Sequence, residues 1–191
     1  MKLVKPSEEH IPSYLAALRK GWHDLPKGST ELSVQNKIQE IIGNPAQFLE
    51  LFDDPNARAL PYLLPDHTVA YAVSSIRRWM WDEQKQEFCG SVSLRWQRDT
   101  TELPPHLMGH IGYSVPTWKR NLGFASFGLS EMLKIASKLS LPFVHLVTDI
   151  DNKASIRVIQ RNGGILLDTF TKPPMYGPSQ AHRYKIELKS T

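Results

Sequence analysis

The sequence predicts a mixed α/β (α+β) domain, on three observations. The first fifty residues carry apolar side chains at helical spacing. Residues 68–115 read as strands joined by polar connections. From residue 108 to 188, short apolar runs alternate with amphipathic segments in the order β-α-β-α-β. At 191 residues the chain is expected to form one domain, 1–191, with a sizeable core.

The elements follow in order. Residues 2–5 form a short strand ended by Pro6, and Ser7 with Glu8 and Glu9 starts a helix. That helix carries Ile11, Tyr14, Leu15, Leu18 and Trp22 on one face. Pro26 and Gly28 mark a loop over 24–30. A second helix runs from Glu31 to Ile42, with Leu32, Val34, Ile38, Ile41 and Ile42 as its apolar set and Gly43-Asn44-Pro45 as its stop. A short helical turn is expected over 46–52, and an irregular stretch with Pro55, Pro61 and Pro65 over 53–67. Strands are expected over 68–76, 87–96 and 108–115, the first two joined by a polar hairpin at 82–87. A helix marked by Ala125, Leu129, Met132, Leu133, Ala136 and Leu139 follows, then a strand at 143–147 and a helix from Asn152 to Asn162. Strands at 164–169 and 183–188 flank a proline-rich loop at 173–180.

Composition narrows the function classes. Hydrophobic residues make up 41% and charged residues 22%, an ordinary globular balance. The net charge of +4 is modest and has no broad basic stripe, which argues against a nucleic-acid binder. Cys89 is the single cysteine, in a strand-like run where a buried, inert thiol is expected. The acidic turn after Lys5 does not read as a signal peptide, and no apolar run is long enough for a membrane span. A cytoplasmic location is expected. No metal site is expected either, since Pro104-Pro105 and Gly109 break any helix that would align His106 with His110.

The chemistry concentrates in residues 109–164. The turn Lys119-Arg120-Asn121-Leu122-Gly123-Phe124-Ala125 lies between a strand and a helix, where free N–H groups and the helix dipole attract anions. Gly123 permits close approach or a positive φ, and Lys119 and Arg120 add charge to the rim. A plain turn glycine with a solvated arginine is the competing reading of the same residues. Neither a Gly-x-Gly-x-x-Gly fingerprint nor a P-loop is present, and Gly112-Tyr113-Ser114 lacks the second glycine of a nucleophile elbow.

Arg120-x-x-Gly123-x-Ala125 after a strand, followed by Asn152-x-x-Ser155 and Asn162-Gly163-Gly164, resembles the core of the GNAT N-acetyltransferase superfamily. Gly109–Val115 and Asp149–Ser155 are similar in wording to a bacterial branch of predicted acetyltransferases. The resemblance implies a GNAT-like fold: a central, mostly antiparallel twisted sheet with a splayed parallel strand pair and flanking helices. It implies acetyl-CoA as donor, its pyrophosphate on the amides of Arg120, Asn121, Leu122, Gly123, Phe124 and Ala125, with Lys119 and Ser126 as auxiliaries. Tyr113, Ser114 and Val115 would meet the pantetheine arm along the splayed strand. Asn152 and Ser155 would lie on the cofactor side of the last helix, although Asn152 also serves as an ordinary N-cap.

Acetyl transfer to an amine needs a base, because an ammonium of pKa about 10 must lose a proton. Backbone N–H groups of Tyr113, Ser114 and Val115 are candidates for the oxyanion. The family often carries a carboxylate near Gly109. Here His110 is the candidate base, with an ordinary strand histidine as the alternative. The family's frequent acid, a tyrosine seven residues after the asparagine, is replaced by Ile159. Ser155, Tyr184, Tyr176 or an unassisted thiolate would take its place. Trp79, Trp81 and Trp96 read as core more readily than as a substrate wall. Residues 22–67 are expected to cap the acceptor side, where Glu50, Asp53 and Asp54 either favour a cation or form a solvated face. The sequence-level conclusion is an acetyl-CoA-dependent N-acetyltransferase acting on an unidentified primary amine in a ternary complex, with a homodimer as a candidate assembly. The alternatives are a non-catalytic acyl-CoA-binding module of the same fold and, further off, a basic nucleic-acid-associated protein.

Overall fold

A computed structural model describes residues 1–24, 30–50, 52–64 and 67–189. Pro26, Gly28 and Pro65, which marked expected loops, lie outside the described residues. The chain begins with β1 (Lys2–Val4), a 3-10 turn at Glu8–His10, α1 (Ile11–Arg19), α2 (Glu31–Gly43) and α3 (Pro45–Glu50). Thr30 caps α2 by accepting from Ser33 N–H at 3.2 Å. Short strands β2 (Asp53–Asp54) and β3 (Tyr62–Leu63) cross the stretch expected to be irregular, and β4 (Val69–Ala70) follows it. The long strands β5 (Ser74–Asp82) and β6 (Glu87–Trp96) lead to β7 (Ile111–Ser114). Then come α4 (Phe124–Lys138), β8 (Phe143–Asp149), α5 (Lys153–Arg161), β9 (Ile165–Thr171) and β10 (Gln180–Glu187).

The expected strand over 68–76 is displaced. Residues 69–70 pair only in the β3–β4 hairpin, and the sheet strand starts at Ser74. Its run through Trp79, Met80 and Trp81 supplies large side chains to both faces of the sheet, which holds this register in place. Leu32 and Ile42, read as part of the apolar face of α2, are exposed. Val34, Ile38 and Ile41 form the buried stripe instead.

β1-β5-β6-β7 form one antiparallel sheet, with β2 also paired to β5, and β8-β10-β9 form a second. Two apolar clusters lie against this framework. One joins Met80, Leu94 and Ile111 to Leu129 and Met132 of α4, Leu146 of β8 and Ile159 of α5. The other gathers α1, α2 and α3 over Trp79, Trp81 and Phe88. In the second cluster the Tyr14 ring stacks on Trp79 at 4.4 Å and 8°. Trp79, Trp81 and Trp96 are all core. Gly128 allows α4 to lie close to the sheet, since a β-carbon there would meet Met80 Sδ at 2.5 Å. No helix among the described residues is long and apolar enough to cross a membrane.

Candidate functional site

The site begins at a joint between the two sheets. His110 N–H donates to His145 C=O at 2.8 Å, and His145 N–H donates to His110 Nδ1 at 3.0 Å. Arg95 fastens the same point to β6, through N–H to His110 C=O (2.9 Å) and Nε to Gly109 C=O (2.8 Å). A β-carbon on Gly109 would stand 3.0 Å from His145 O, tighter than an ordinary contact, so this close approach of chains favours glycine. Beyond the joint, β7 and β8 share no ladder. A cavity of about 290 Å³ opens there, lined by Ile111, Gly112 and Tyr113 on one side and Leu146 to Asp149 on the other. The strands therefore run in the same direction and splay.

Strand parity decides which main-chain groups face the opening. Ser91 pairs with Ser114, Val92 with Tyr113 and Ser93 with Gly112, continuing the sense of the Arg95–His110 bond. In an antiparallel ladder alternate residues bond to the neighbour. Gly112 and Ser114 thus turn their polar groups to β6, while Ile111 and Tyr113 turn theirs to the gap. Ser114 is further held by Trp22, whose Nε1 donates to its Oγ at 2.9 Å.

Next to the gap, a groove of about 660 Å³ runs between the start of α4 and α5. Gly123, at φ 84°, is the N-cap of α4, and the first helical bond is Phe127 N–H to Gly123 C=O at 3.0 Å. The N–H groups before it belong to the first turn, where an anion is the natural partner. Asn121 is also left-handed, at φ 63°, and Arg120 Nε returns to Val115 C=O at 3.4 Å, folding the turn back on the end of β7. Asn152 accepts from Ser155 N–H at 3.1 Å and caps α5. Asn162 Nδ2 donates to Val158 C=O (2.9 Å) and Ser126 Oγ (3.2 Å), tying the end of α5 to the first turn of α4. Tyr113 spans from β7 to α5 with its hydroxyl on Ser155 C=O at 3.3 Å, and Tyr113, Asn152 and Ser155 border both groove and gap.

The predicted cofactor residues thus come together around the groove, with one exception. Leu122 is 56% exposed and does not line it. Lys119 lines the groove, but its ammonium is bound to Glu87. Ala154, Arg157, Val158 and Arg161 also line it and escaped the sequence reading. Their spacing of three and four from one another, on the helix that follows Asn152, was the available signal.

The predicted catalytic residues separate. Ser155 stands at the meeting of groove and gap. His110 is 3% exposed and borders neither cavity. Burial, with the neighbouring His145 adding to it, pushes its pKa down to about 4. With Nδ1 already an acceptor, its imidazole is a structural clasp and a poor base at neutral pH. Tyr184 is buried in the core on β10 and lines neither cavity. Tyr176 directs its hydroxyl to His106 C=O. The carboxylate that does line the gap is Asp149, paired with Lys172 Nζ at 2.6 Å. The acids expected to favour a cation are engaged elsewhere or solvated. Asp53 binds Arg78 at 2.5 Å, Asp54 accepts from Arg58 and Ala59 N–H, and Glu50 is exposed.

Comparison with known proteins gives this geometry a family. Over residues 3–165 the chain matches the model of the acetyltransferase (GNAT) domain. No curated protein sequence matches it. Among solved structures it is similar to RimL, a ribosomal L7/L12 α-N-protein acetyltransferase in complex with coenzyme A. That match has a TM-score of 0.61 and 16% identity, over 99% of this chain and 94% of that one. The ribosomal-protein-S5-alanine acetyltransferase of Vibrio fischeri aligns at TM-score 0.58 and 16% identity, over 98% and 92%. The microcin C7 self-immunity acetyltransferase, in complex with acetyl-CoA and AMP, aligns at 0.57 and 12%, over 97% and 91%. At these identities the structural likeness speaks for the fold. The match to the domain model extends from β1 through α5 to the first residue of β9, and by it the chain belongs to the GNAT acetyltransferase family.

Proposed function

We propose that the protein is an acetyl-CoA-dependent N-acetyltransferase that moves an acetyl group to a primary amine by direct attack in a ternary complex. The observation that carries this reading is the continuity of the groove and the gap. The anion-attracting turn at Gly123–Ala125 and the strand opening at Tyr113 meet at Tyr113, Asn152 and Ser155. The pyrophosphate of the donor fits the first turn of α4, and the pantetheine arm fits beside β7 as an added strand would.

In the reaction the ammonium loses one proton before attack, and the amine nitrogen bonds to the acetyl carbon. The carbon–sulfur bond breaks as the nitrogen loses its second proton, and the departing thiolate takes up a proton on release. The Tyr113 N–H, turned to the gap by strand parity, is our candidate for stabilising the developing oxyanion. Asp149 is our candidate for receiving the amine proton, directly or through water, because it is the carboxylate that lines the gap. Ser155, at the junction, is the nearest candidate to assist the departing thiolate.

Acetyl-CoA is expected to raise the melting temperature of the wild-type chain, and free thiol is expected to appear when an amine acceptor is added. Gly123→Glu places a side chain and a negative charge where the φ is 84° and the donor's phosphates would lie, and should abolish the stabilisation. An unchanged acetyl-CoA shift in Gly123→Glu would sink the assignment of the groove. Stabilisation without thiol release across a broad amine panel would favour a non-catalytic acyl-CoA-binding module.

A further inference from the structure

Behind the β7 edge of the gap, and not lining it, lies Arg95 on β6. Residues directly opposite one another on neighbouring strands share a face. The registers therefore place Trp79, Ser91 and Ser114 in one row, Arg77, Ser93 and Gly112 in the next, and Ser75 and Arg95 beyond. The first row lies under α1, where Tyr14 stacks on Trp79 and Trp22 holds Ser114. The following rows continue the same face towards the joint. This is the face opposite α4, and an amine meeting a donor seated in the α4–α5 groove would enter the gap from here.

Of the three arginines carried by β5 and β6, two have acids of their own. Arg77 pairs with Asp24 at 3.3 Å and Arg78 with Asp53 at 2.5 Å. Arg95 has no carboxylate within ion-pair distance among the described residues, and only its Nε is engaged, by Gly109 C=O. Its Nη2 lies 3.5 Å from where a β-carbon on Gly112 would stand, and Gly112 lines the gap. The missing side chain leaves space at the edge of the guanidinium. Burial draws the Arg95 pKa below its ordinary value, and Tyr176 and Tyr62 lie near enough to act on its charge. A partly desolvated cation without an acid is costly, and an anionic ligand would relieve that cost.

We propose that Arg95 selects the acceptor, and that the acceptor is an amine carrying a carboxylate or phosphate group a few bonds from its nitrogen. The inference rests on the N-acetyltransferase reading and adds the substrate class. The anionic group would take the free edge of the Arg95 guanidinium in a charge-assisted contact, with Ser93 Oγ beside it, 3.7 Å from the same Gly112 position. The amine would then lie over Gly112 towards the gap.

Acceptor pairs with and without the anionic group test this. Turnover of β-alanine is compared with that of β-alaninamide, and turnover of 2-aminoethyl phosphate with that of ethanolamine. The anionic member of at least one pair is expected to show a kcat/KM roughly ten- to a hundredfold higher, the range of a charged hydrogen bond, and the two pairs tell carboxylate from phosphate. Arg95→Gln should bring that ratio close to one, and Arg95→Lys should retain part of it. Acetyl-CoA stabilisation of both variants is the check that they fold. A wild-type ratio near one in both pairs, or a ratio unchanged in a folded Arg95→Gln chain, overturns the inference and leaves the acetyltransferase reading standing. Absence of acetyl-CoA stabilisation in the wild-type chain overturns that reading, and this inference with it.

Discussion

His110, the base that residue type alone suggests, is a clasp between strands, and Asp149 is our candidate for the proton in its place. A histidine beside the splayed strand has the right ordinary pKa for a base, but its Nδ1 accepts from His145 N–H and its ring is buried. Its effect should appear in stability. The unfolded chain takes up this proton near the usual pH of 6.5, whereas the folded chain resists it down to about 4. The contribution is complete above 6.5 and is lost as pH falls towards 4, on the order of 3 kcal/mol. Urea unfolding of the wild type should show its midpoint dropping across that window, and His110→Gln should flatten the drop; an equally steep decline in the variant would remove His110 as its source. Asp149→Asn, by contrast, should lower kcat by roughly a hundredfold with acetyl-CoA stabilisation retained. A kcat close to wild type would take Asp149 out of the proton path.

At the scale of elements, the groove depends on the distance between α4 and α5. Asn162 sets that distance by bonding to Ser126 Oγ and Val158 C=O from the end of α5. Asn162→Ala should cost about 1 kcal/mol of stability and weaken acetyl-CoA binding as well. Calorimetric titration beside a thermal melt separates the two effects, and a stability loss with unchanged acetyl-CoA affinity would show that the clamp does not shape the groove. The asparagine-glycine-glycine run was visible as a motif in the sequence. Its function as a clamp was not, because Ser126 lies 36 positions away and only the packing of the two helices brings it near.

For the whole molecule, two apolar clusters hold one sheet from opposite sides, and β5 serves both. Trp79 is fully buried between Tyr14, Phe52 and Phe88, so Trp79→Ala should destabilise the chain by roughly 3–5 kcal/mol, read from denaturant midpoints. A loss below about 1 kcal/mol would mean that the α1–α3 layer does not fold cooperatively with the sheet. The sequence by itself determined the order of the long elements, the turn at Arg120–Ala125 and the capping asparagine at 152, because each rests on local rules: periodicity, a glycine at positive φ, a side chain bonding to the next turn. It also carried the family resemblance. The tertiary structure alone decided where β5 begins, that Lys119 belongs to Glu87, that His110 closes the joint, and that the Arg95 guanidinium lies beside Gly112. Those outcomes depend on which strands pair and which face each residue turns to, and a shift of one position in register would reverse them.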